Sequence, residues 1–102
     1  MANSVIPTGN EHSPVYEITG MDSDWVGRNG PLQSIQFNPG ATSDVLVVKN
    51  GSTAGPMLFS TTADSGSDET IKYFYGVRVA PVIDYSECTL SAGHEVIVVY
   101  GE

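Results

Sequence analysis

TIKYFYGVRV, residues 70–79, decides the fold class. Ile71, Tyr73, Tyr75, Val77 and Val79 alternate with Lys72, Phe74, Gly76 and Arg78. Side chains two apart share one face of an extended chain, whereas a helix needs apolar residues three and four apart. The segment therefore predicts a long strand with Ile71, Tyr73, Tyr75, Val77 and Val79 on one face. Pro81 lacks an amide hydrogen and bends or ends that strand.

Working outward, SDVLVVKNGSTAGPMLFSTTA (43–63) reads as a hairpin. VLVVK (45–49) is too short and too rich in β-branched residues for a helix, so it predicts a strand buried on both faces. Asn50-Gly51 favours positive φ and opens the turn, Gly55-Pro56 closes it, and MLFSTT (57–62) returns. ADSGSDE (63–69) is an acidic connection. Upstream, LQSIQF (32–37) sets Ile35 and Phe37 against Ser34 and Gln36, and Asn38-Pro39-Gly40 stops it. VYEIT (15–19) predicts a short strand, and MDSDWVGRNGP (21–31) is turn-rich around Trp25. Downstream come VIDY (82–85), SECTL (86–90), a Ser91-Ala92-Gly93 turn and HEVIVVY (94–100).

Short strands with closely spaced turns and no helical stripe predict an all-β, single-domain antiparallel sandwich or small barrel over residues 15–102. Residues 1–14, MANSVIPTGNEHSP, read as an extended N-terminal arm whose apolar pair is Val5 and Ile6. Such an arm either frays or orders against a neighbour.

Composition narrows the partners. A chain of 102 residues makes one domain. Its charged fraction is 16%, and twelve acids oppose four bases for a net charge of −8. Arg28, Lys49, Lys72 and Arg78 are too scattered to form a basic patch, which argues against nucleic acid and against an anionic membrane surface. Another protein, or a cation on surface carboxylates, remains. The single Cys88 excludes an intramolecular disulfide. No basic-then-apolar leader and no membrane-length apolar run is present, so synthesis in a cytosol is expected.

Candidate chemistry is sparse. Cys88 and His94 flank the 91–93 turn, but a thiol nucleophile needs a lowered pKa, and the acids Glu87 and Glu95 would raise it. A small buried Cys is the simpler reading. His12 and His94 with Cys88 lack zinc spacing. Asp22-Ser23-Asp24-Trp25-Val26-Gly27 opens like a calcium loop, yet Val26 and Gln33 stand where oxygen ligands are required. Asp64, Asp68 and Glu69 read as a solvated loop. Asn50-Gly51-Ser52 fits a glycosylation acceptor but is explained by turn chemistry. No phosphate loop or G-x-S-x-G occurs, so no catalytic residue, metal or cofactor is expected and the chain reads as a non-enzyme. Tyr73, Tyr75 and Tyr85 read either as core packing with hydroxyls at the rim or as a contact face. The candidate interface residues are Val5, Ile6, Trp25, Tyr73 and Tyr75.

The tracts DVLVVKNGSTAGPMLF, YFYGVRVAPVIDYSECTL and HEVIVVY resemble small β-sandwich virion proteins of tailed bacteriophages, over about residues 31–100. The resemblance implies a structural role on the capsid surface, most simply a head decoration (cement) protein that bridges and stabilises major capsid subunits. Its implied partners are the major capsid protein and copies of itself, trimers being common in such families. It brings no catalytic residue, and neither the arm nor residues 21–30 have a counterpart. The alternatives are a tail or neck component, or a small receptor- or carbohydrate-binding module using Trp25, Tyr73 and Tyr75.

Overall fold

Alternating apolar residues draw the strands into two antiparallel sheets in a computed structural model that describes residues 3–9, 13–65 and 69–101. The strands are β1 (Ser4–Gly9), β2 (Pro14–Thr19), β3 (Trp25–Val26), β4 (Gly30–Asn38), β5 (Val45–Asn50), β6 (Met57–Thr62), β7 (Thr70–Val79), β8 (Pro81–Ile83) and β9 (Glu95–Tyr100). One sheet has the order β1-β2-β9-β4-β7 and the other β3-β8-β5-β6. The all-β reading and the sandwich architecture are as expected, and no α-helix occurs among the described residues. A 3-10 turn covers Tyr85–Glu87.

The registers of the larger sheet explain the core. Val5, Ile18, Val96, Phe37 and Thr70 line up across all five strands, as do Pro7, Tyr16, Val98, Ile35 and Lys72. Tyr100, Leu32 and Val77 form a third row. Cross-strand partners share a face, and the β2, β9 and β4 members of these rows pack into one core with β5, whose Leu46 and Val48 are fully buried, while Lys72 and Val77 on the outer strand β7 stay exposed. Each such aliphatic side chain contributes roughly 1.5–3 kcal/mol by leaving water. Val47 is buried too, because residues 84–90 cover the outer face of β5: Cys88 Sγ accepts from Val47 N–H at 3.3 Å. The strand buried on both faces is thus explained.

Three local readings change. First, β7 does not keep one apolar face. Tyr73 pairs with Ser34 and Val77 with Leu32, so Phe74, Tyr75 and Gly76 stand against Gln33 alone. Tyr75 (φ 54) and Gly76 (φ 82) are both left-handed, a bulge that turns the strand over. Ile71 and Tyr73 face outward with Gln36 and Ser34, while Val77 and Val79 lie with the inward residues Leu32 and Gly30.

Second, the described part of residues 1–14 is paired within the domain. All of β1 runs antiparallel to β2, which itself begins at Pro14. An edge strand leaves one side of its ladder empty, and so it tolerates Pro7. His12 lies outside the described residues, as does Asp68.

Third, VIDY is strand only through Ile83, and SECTL forms no strand of its own. β8 stops at Ile83, the 3-10 turn follows, and Thr89 rejoins β5 through one bridge to Val45. Pro81 marks a corner, since β7 and β8 belong to different sheets.

Candidate interaction surface

The buried polar groups are consumed in holding loops. Asp44, 1% exposed, accepts hydrogen bonds from the backbone N–H of Gly40 (2.9 Å), Ala41 (3.3 Å) and Ser91 (3.0 Å), and from Ser91 Oγ (2.7 Å). Burial pushes its carboxyl pKa up, but the Ser91 hydroxyl and the three amides outweigh that and hold it below the ordinary carboxylate range. Gly40 permits this clasp, because a Cβ there would run into the carbonyl oxygens of Ser91 and Ala92.

Buried His94 accepts the Met21 N–H on Nε2 (3.1 Å), so that nitrogen carries no proton and Nδ1–H donates to Ser91 O (2.8 Å). Lys49 donates to Asp84 (3.0 Å), Glu87 (2.9 Å) and the Thr53 carbonyl (2.9 Å), tying the hairpin loop to the 3-10 turn. Every buried side-chain nitrogen or oxygen among the described residues has a partner. Cys88 and His94 take separate partners rather than each other. Burial pushes the Cys88 thiol up, and Asp84, Asp24 and Glu87 add to it, whereas a nucleophilic thiolate needs the opposite.

The outward face of the five-stranded sheet is different. One row runs Thr8, Val15, Val99, Ser34, Tyr73; the next runs Ile6, Glu17, Ile97, Gln36, Ile71. A third row, Ser4, Thr19, Glu95 and Asn38, borders them. Ile6, Ile71 and Tyr73 are 55%, 44% and 53% exposed, and Val15, Ile97 and Val99 half-buried. Polar groups close one side: Gln36 Nε2 donates to Asn38 Oδ1 and Glu69 Oε2 (both 3.0 Å), and Asn38 Nδ2 to Glu95 Oε1 (3.1 Å). At the β7 edge Tyr75, 82% exposed, stacks on Tyr73 with ring centroids 6.1 Å apart and planes inclined at 27°.

The structure separates the sequence candidates. Tyr73 and Tyr75 meet on one edge of the sheet, and Ile6 stands on the opposite edge with its row running to Ile71. Val5 turns inward against Ile18 and packs on the core. Trp25 is half-buried in a cluster with Tyr16 (5.7 Å), which packs edge-on against Tyr100 (5.9 Å). Tyr85 packs against the core and does not join the pair on β7. Sequence reasoning missed Val15, Glu17, Ile71, Ile97 and Val99 as members of the face. A signal existed in EVIVVY (95–100), where consecutive apolar residues load both sides of a strand. Comparison with protein-family models, with curated proteins and with solved structures finds no match to this chain.

Proposed function

We propose that this chain is a non-enzymatic virion structural protein, a head decoration protein that docks on and stabilises a shell of major capsid subunits. The observation that carries the reading is the stacked, solvent-facing Tyr73–Tyr75 pair on a strand that stands at the sheet edge among the described residues. Tyr is a favoured hot-spot residue because it buries a large rigid ring at small entropic cost. Tyr75 also keeps a left-handed backbone that a bulky residue rarely adopts, and strain of this kind tends to gather at functional positions. The resemblance of residues 31–100 to phage virion proteins supplies the shell as partner, and copies of the chain would meet on it symmetrically.

A ligand that binds only the assembled lattice stabilises it by mass action. Purified particles stripped of this protein should fail at a lower temperature than particles to which it is added back. The difference should persist at high ionic strength, since buried apolar contacts are screened little. Tyr75→Asn, which suits the left-handed backbone, should keep the fold and weaken retention on the shell by about tenfold. Equal failure temperatures for bare and decorated particles would remove the cement reading.

A receptor- or carbohydrate-binding module is the second reading, favoured by the broad exposed ring of Tyr75. Glycan binding by the isolated domain, lost in Tyr75→Asn, would put it first.

A further inference from the structure

We infer that the outward face of the five-stranded sheet is a docking surface for a partner protein that presents apolar side chains with a Lys or Arg among them. The inference rests on the reading of this chain as a binding protein and names the contact face and the partner's chemistry. Ile6, Val15, Ile97, Val99, Ile71 and Tyr73 occupy two adjacent rows across all five strands. Five strands about 4.8 Å apart, read over the two apolar rows and the polar border row about 6.8 Å apart, give a face of roughly 500 Å², of which the border makes about a third. Two such surfaces bury about 1,000 Å² in total, the lower bound for a specific interface. The Gln36–Asn38–Glu95 and Gln36–Glu69 hydrogen bonds form a polar border on one side.

Charge selects the occupant. Glu17 lies between Ile6 and Ile97, and among the described residues no cation is paired with it. Glu95 stands on the border row and Glu69 is bonded to Gln36 beside it. None of the three rows carries a Lys or Arg. Two copies stacked face to face would therefore withdraw two Glu17 carboxylates from water with no cation from these three rows to compensate them. Nucleic acid is repelled by the same groups. A partner base seated between Ile6 and Ile97 answers Glu17 while its apolar neighbours cover the aliphatic rows, the pattern of an apolar contact centre fixed by a complementary charge.

The test uses the isotope-labelled full chain and three short synthetic peptides: one alternating Val and Lys, one alternating Val and Glu, and one alternating Ser and Lys. Amide shifts at 15–19, 34–36, 71–73 and 95–99 should respond to the Val/Lys peptide. The Ser/Lys peptide, of equal charge, should bind about tenfold more weakly. Glu17→Lys should lose the Val/Lys response and gain one to Val/Glu; Glu17→Gln, which keeps shape and hydrogen bonding, should weaken Val/Lys binding with its own spectrum intact. Equal binding of Ser/Lys and Val/Lys, or shifts confined to other surfaces, overturns the proposal. So does concentration-dependent broadening of the same amides without peptide, which would make a second copy the occupant. No particle enters this measurement, so the shell reading can fail on heat resistance while the docking face stands, and the reverse.

Discussion

A carboxylate withdrawn from water is stable only where donors replace its lost hydration, and Asp44 takes four hydrogen bonds that join the turn at Gly40–Ala41 to the one at Ser91. Asp44→Ala would leave buried amides unsatisfied and should cost about 2–4 kcal/mol in denaturant unfolding at neutral pH. Its folded pKa is depressed, so this stabilisation is present above the ordinary carboxylate range and is lost as pH falls through the lower folded value. The gap between the wild type and Asp44→Ala should therefore shrink in acid; a constant gap would assign the cost to packing alone. Tyr100 works at the other end of the pH scale. Burial pushes its phenol up to about 12, its hydroxyl donates to Arg28 O at 2.7 Å, and the Arg28 guanidinium lies 5.3 Å from the ring centroid. A raised folded pKa gives stability that is full below the unfolded value near ~10 and is lost as pH climbs towards the folded one. Alkaline titration followed by tyrosinate absorbance should show a late component that disappears in Tyr100→Phe.

At the scale of the element, the two outer strands of the larger sheet protect their edges differently. β1 places Pro7 in the ladder, while β7 breaks its ladder with the Tyr75-Gly76 bulge and turns Lys72 into the inward row opposite Ile35. A proline, a bulge and an inward charge each discourage edge-to-edge pairing between copies. The exposed apolar side chains of the outward face then carry less risk of strand-by-strand aggregation. β1 also seats Val5 against Ile18, so removing residues 1–9 uncovers the β2 edge as well as the core beneath it. The truncated chain should stay folded but lose about 1–3 kcal/mol in thermal unfolding. Unchanged stability would mean that β1 adds nothing to the stability of the domain.

Over the whole molecule, twelve acids against four bases leave a net charge of −8 and with it a net repulsion. Raising salt to about 0.5 M should lift the melting temperature by a few degrees as that repulsion is screened. A fall would show that local pairs such as Lys49 with Asp84 and Glu87 outweigh it. Period-two alternation, β-branched runs and Asn, Gly and Pro punctuation are local properties, so the residues themselves determined the all-β class, the 43–63 hairpin and the inward faces of Ile35 and Phe37. Tertiary structure decided the rest. Whether Tyr73 and Val77 share a face depends on a bulge that exists only against Gln33 of β4, and β1 becomes a strand only where β2 offers it an edge. The face built from Ile6, Glu17, Ile97 and Ile71 draws on segments far apart in the chain. Register between such segments is set by how their inward side chains pack, and a pattern of period two within one strand carries no information about its neighbour's.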